Sequence, residues 1–143
     1  MPQTTQTDDR SKTVMPALPE AYAHCAALVR EHDHDRYIAT LYAPEAQRPA
    51  LFALYAFSHE IARVRALVSE PLPGEVRMQW WRDLLENEAN DHGGKDHGDK
   101  REGQAHPVAA ALLDAVARYR LPIAPLTGLI EASRIRALEV SPA

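Results

Sequence analysis

The sequence predicts an all-α fold of about five or six helices, and three observations predict it. Apolar residues recur at spacings of three and four along most of the chain. Prolines stand where helices would start or turns would fall. Valine, isoleucine and threonine nowhere alternate with polar residues over the length of a strand.

Residues 1–15 are mostly Thr, Gln, Asp and Lys, with little to bury, and read as a disordered polar tail. The helical domain spans 16–143. Pro19 suits the first turn of its first helix. Tyr22, Cys25, Val29 and His32 follow at spacings of 3, 4 and 3, so they share a face. "EHDHD" closes that helix in a polar turn, and the short apolar piece "RYIATLYA" runs to Pro44.

The strongest helix signal comes next. Pro49 fits its first turn, and Leu54, Phe57, Ile61, Val64 and Val68 recur at 3, 4, 3 and 4. "SEPLPGE", with Pro71, Pro73 and Gly74, reads as a break. The following helix, "EVRMQWWRDLLENE", places Val76, Trp80 and Leu84 on one face, with Trp81 and Leu85 beside it. Arg82 and Glu86 pair at i,i+4 on the outer side. Residues 90–105 read as a Gly-rich charged loop. Helices resume at Pro107, lined by Val108, Leu112, Val116 and Tyr119, and at about Pro122, lined by Leu126, Leu129 or Ile130, and Ser133.

Composition excludes several classes. With 143 residues, 45% hydrophobic and 25% charged, the chain suits one globular domain. A formal charge of −4 argues against a nucleic-acid binder. The single cysteine, Cys25, rules out an internal disulfide. The polar N-terminus lacks the apolar stretch of a signal peptide, and no apolar run approaches a membrane span, which predicts a cytoplasmic protein.

Four groups are candidates for chemistry. His32 and His34 in "HDHD", and His92 and His97 in the Gly-rich loop, lie near carboxylates. They lack the fixed spacing of a metal motif, so no metal site is expected. Cys25 reads as a small buried thiol rather than a nucleophile. Adjacent tryptophans point about 100° apart on a helix. Either Trp80 and Trp81 both fill the core, or one lines a groove with Arg77 or Arg82 as a cationic corner. His59, Glu60 and Arg63 in "YAFSHEIARVRALVSEP" read by pattern alone as an ordinary charged helix face.

The stretch "RYIATLYAPEAQRPALFALYAF", followed by "RMQWWRDLL", resembles the squalene/phytoene synthase family. Pro44, Arg48, "ALYAF" at 53–57 and "WWRD" at 80–83 stand in the family's order and approximate spacing. The likeness runs from about Ala21 to Arg134, which implies the N-terminal half of an isoprenoid-synthase-type bundle. The chain's last residues, "IRALEVSPA", leave the family's pattern, as a truncated product, a frameshifted end or a deliberately cut fragment would. Half a helical cup would expose its inner apolar faces and tend to associate.

The family's enzymes condense two isoprenoid diphosphates and hold Mg²⁺ through aspartate-rich motifs, because dense phosphate charge needs metal to depart. In this sequence the first motif's three aspartates fall on Ala62, Arg63 and Ala66, and an arginine that helps hold diphosphate falls on His59. Glu60 lies two positions early, about 200° around the helix from Ala62, and cannot replace them.

Glu60, Ile61, Ala62, Val64, Val68, Ser69, Glu70 and Arg77 to Trp81 look closer to a branch that includes a respiratory complex I assembly factor. This likeness implies a non-catalytic binding or assembly module without cofactor, in contact with a respiratory-complex subunit, peripheral to the inner membrane, and with an isoprenoid or other lipid as ligand. The ligand-binding residues it suggests are Tyr55, His59, Arg63, Arg77, Trp80 and Trp81, with no catalytic or metal residue. The alternative is a prenyl-diphosphate-condensing transferase, for which Mg²⁺ would be required.

Overall fold

The computed structural model describes residues 17–67, 71–90 and 105–139. Six α-helices are found among them: α1 (Leu18–His32), α2 (His34–Thr40), α3 (Arg48–Leu67), α4 (Pro71–Asn90), α5 (Pro107–Tyr119) and α6 (Ala124–Glu139). A single 3₁₀ turn, Glu45–Gln47, leads into α3. The described residues contain no strand, so the all-α expectation holds. The polar tail, Val68 and the loop histidines lie outside the described residues.

Local chemistry sets the helix ends. Asp33 separates α1 from α2. Its backbone N–H donates to the Val29 carbonyl, and its side chain accepts the Arg36 N–H. That is an ordinary aspartate cap. The Arg48 Nε donates to the Ala43 carbonyl at 2.9 Å, closing the turn that Pro44 begins. Buried Thr40 is satisfied, its hydroxyl donating to the Arg36 carbonyl at 2.7 Å. Arg120 ends α5 in the left-handed region, φ 50°, and the Leu121 N–H returns to the Val116 carbonyl at 3.0 Å.

The core is built around α3, which packs against α1, α2, α4, α5 and α6. Its buried residues are Phe52, Ala53, Ala56, Phe57 and Ile61. The expected stripe of Leu54, Phe57, Ile61 and Val64 is therefore rotated: Leu54 and Val64 sit on its flank, only partly buried. A helix surrounded by neighbours buries more than one narrow seam. The two alanines matter because small side chains let backbones approach closely. The buried alanines of α5, Ala109 to Ala111, serve the same end, and Leu112 fills the space between.

Two other expectations are corrected. "SEPLPGE" does not end in a break, because α4 begins at Pro71 and runs through Pro73 and Gly74. Prolines in a first turn lose no intrahelical bond, since those N–H groups have no partner there. The face of α4 is also rotated. Val76 is 65% exposed, while Met78, Trp81, Leu84 and Leu85 are buried. On α5, Tyr119 lies at the exposed end, its hydroxyl donating to the Ala46 carbonyl. On α6, Ile130 rather than Leu129 enters the core.

Polar links join the helices at the rim. The Tyr22 hydroxyl donates to the Asp114 carboxylate, tying α1 to α5. Arg82 pairs with Glu86 on its own helix and with Glu131 on α6, and Arg134 of α6 reaches back to Glu75 of α4 at 2.8 Å.

Replacing Trp81 by alanine should therefore destabilise the fold by about 3–5 kcal/mol, whereas Val76→Ala should stay within about 0.5 kcal/mol. Chemical denaturation of the two variants checks the assignment of the buried face. At the end of α5, Arg120→Gly should raise stability by about 0.5–1 kcal/mol, because glycine adopts positive φ without the clash an arginine Cβ meets.

Candidate functional site

The suggested ligand-binding residues gather at two separate corners of the bundle rather than around one cavity. The first lies where the α1–α2 junction meets α3. The rings of His32 and His59 stack there, 4.7 Å apart and 16° from parallel. One turn before His59, the Arg36 guanidinium lies 5.3 Å over the half-buried Tyr55 ring. Arg36 is held in place by Asp33, 3.1 Å away.

Ala62, Arg63 and Ala66 continue along α3 and are exposed. Their side chains are two methyls and a guanidinium, and none can ligate Mg²⁺. The residues present at these positions do not fit that metal. His32 and His34 do not converge either, since His32 stacks on His59 while His34 lies 6.5 Å from the Tyr37 ring.

The second corner lies where α4 meets the start of α5. Trp81 is fully buried, edge-on to Phe57 at 5.2 Å. Trp80 is only half-buried and stands 4.9 Å from it. Of the two arrangements open to the tryptophans, the structure takes the divided one. Arg77 covers the Trp80 ring at 5.5 Å, and Pro73, Val76, Arg77 and Trp80 line a surface groove of about 520 Å³. Arg82 points away, into the ion pairs with α6.

His106 completes this corner. Its ring lies 5.7 Å from Trp80 and 5.4 Å from Trp81. Its Nδ1 accepts the Ala109 N–H and so caps α5. Sequence reasoning passed over it. The available signal was its position directly before Pro107, which marks a cap, but histidine is not among the usual capping residues.

Glu60 lies around α3 from His59, and its carboxylate acts on other groups. Burial first, and then Glu60, push the Cys25 thiol up to about 12. The stretch first read as one charged face thus parts three ways: His59 to the stacked pair, Glu60 to the Cys25 and His106 neighbourhood, and Arg63 to solvent.

The replaced donor positions at 62, 63 and 66, on a helix framed by "ALYAF" and "WWRD", are those of a prenyl-synthase scaffold without its first set of metal ligands. The chain belongs to the squalene/phytoene synthase family, whose description matches residues 29–139. It is 37% identical over 107 residues, 74% of the chain, to the rat protein named NADH dehydrogenase (ubiquinone) complex I, assembly factor 6. To the human protein of that name it is 36% identical over 98 residues, 68% of the chain. A 15-cis-phytoene synthase of Synechococcus elongatus is 29% identical over 133 residues, 91% of the chain. The matched stretch spans 29% of the rat protein, 26% of the human protein and 39% of the synthase. No solved structure gives a significant match.

The buried, neutral Cys25 should resist alkylation in the native protein at pH 8 and react quickly once denaturant is added. Mass spectrometry of iodoacetamide-treated protein, with and without urea, checks this.

Proposed function

We propose that this chain is a synthase-family helical domain that has lost prenyl-transfer chemistry and serves as a binding module in the assembly of a respiratory complex. The observation that carries this reading is the trio Ala62, Arg63 and Ala66. Diphosphate departure needs clustered carboxylates to hold Mg²⁺, and a guanidinium at the centre of the trio opposes the metal's charge. Among the described residues, no group of three or more His, Cys, Asp or Glu is placed to hold a metal ion.

The names of the rat and human relatives point the same way, since both are called complex I assembly factors. The corners at Tyr55–His59 and Arg77–Trp80 are the surfaces we assign to the ligand or partner, with exposed Arg63 beside the first and buried Trp81 backing the second. Each joins aromatic area to a cation, which suits an apolar ligand with a polar or anionic end. An isoprenoid or other lipid meets that description. We place contact with the inner membrane at its surface; no helix among the described residues is long and apolar enough to cross a membrane.

The second reading, a transferase, is favoured by the phytoene synthase match over 91% of the chain. It requires other carboxylates in place of the missing trio.

Two measurements separate these readings. Incubated with prenyl diphosphates and Mg²⁺, the purified chain should release no pyrophosphate, and clear turnover would sink the assembly reading. Deleting the gene in its own organism should lower assembled complex I on native gels while leaving isoprenoid products unchanged, and the opposite pattern would favour the transferase.

A further inference from the structure

The His106 corner has a chemistry that neither reading uses. His106 does three things at once. Its Nδ1 accepts the Ala109 N–H at 3.4 Å, standing in for the usual aspartate or serine cap. Its ring touches both tryptophans, at 5.7 and 5.4 Å. It also stands, across Pro107, two residues before Val108 to Leu112, a run of buried residues through which α5 enters the core against α1 and α3. An imidazole that accepts through Nδ1 carries its proton on Nε2, so the cap exists only in the neutral form.

Protonation undoes the cap. A proton on Nδ1 would face the Ala109 N–H, donor against donor. The new cation would sit at the positive end of the α5 dipole. It would also be partly withdrawn from water, which disfavours charge. The groups facing the ring come from three helices: Glu60 of α3 favours the cation, while Arg77 of α4 and His24 of α1 oppose it. The indoles offer the cation some compensation. The balance nevertheless holds the His106 imidazole below its ordinary range, with burial the largest cause.

We propose that His106 is a pH-sensitive clasp: neutral, it holds the first turn of α5 against the tryptophan pair, and protonated, it releases that turn and loosens the Trp80 wall of the Arg77 groove. The direction follows from linkage. The folded protein prefers the neutral ring more than the unfolded chain does. The clasp's contribution is therefore fully present above the unfolded value of about 6.5. It is lost as pH falls through the lower folded value. The groove at Pro73, Val76, Arg77 and Trp80 shares Trp80 with the clasp, so its shape follows the same titration.

Trp80 and Trp81 are the only tryptophans of the chain, and both touch His106. Intrinsic fluorescence, titrated from pH 8 to pH 5, therefore reports the clasp directly. The emission should fall or shift to the red along a single titration curve with its midpoint below 6.5. His106→Asn keeps a capping acceptor that cannot titrate. It should remain folded at pH 8 and lose that transition. Cys25 gives a second readout. Its labelling by 4,4′-dithiodipyridine, which reacts with thiols in acid, should accelerate at least several-fold between pH 7 and pH 5 in the wild type and stay flat in the variant. A full fluorescence transition in a folded His106→Asn protein would overturn the proposal. If the variant does not fold, the His106 ring signals in an NMR titration of the wild type decide. A midpoint at or above that of a free imidazole would overturn the proposal as surely.

Discussion

Everything in this bundle depends on one helix being narrow enough to be surrounded. Ala53 and Ala56 are fully buried on α3, and Phe57 and Ile61 stand beside them. The small residues admit the backbones of neighbouring helices, and the large ones fill what remains. A protein interior packs as densely as an organic crystal, so a side chain larger than alanine at either small position would push a neighbour away. The tryptophan pair, the Cys25 thiol and the His106 cap all take their positions from this packing. Trp81 meets Phe57, and Glu60 of the same helix lies close enough to act on both Cys25 and His106.

The loss of the metal-binding trio leaves this arrangement untouched, because Ala62, Arg63 and Ala66 lie on the exposed side of α3. Metal ligands must reach a cavity or solvent, whereas the packing residues must avoid it. The two sets therefore occupy different sides of one helix and can change independently. A scaffold of this kind can lose its chemistry and keep its shape, which is the physical reason that fold alone does not establish activity.

Helix identity was legible from periodicity and prolines, and the two ends that needed special chemistry were partly so. Asp33 between α1 and α2, and Pro49 in the first turn of α3, stand where the sequence placed them. Facial detail was less legible. The spacing of Val76, Trp80 and Leu84 is helical, yet of these α4 fully buries only Leu84, together with Met78, Trp81 and Leu85, because burial depends on which neighbour a helix meets. The first corner was half visible. His59 and Tyr55 stood out, but His32 and Arg36 join them only through the pairing of distant helices. His106 was invisible for another reason: it acts as a cap although histidine seldom does, and it touches tryptophans 25 and 26 residues earlier in the chain.

The paired clamps between α4 and α6 carry a consequence for how such a protein can vary. Glu75 meets Arg134 near one end of α4, and Arg82 meets Glu131 two turns later. With Ile130 of α6 buried in the core as well, the two helices are held at two levels by side chains rather than by the chain connecting them. Closing a longer connection costs little, since the entropy grows only with the logarithm of its length. The stretch between α4 and α5 is therefore a place where evolution, or an engineer, can insert sequence while the bundle keeps its register.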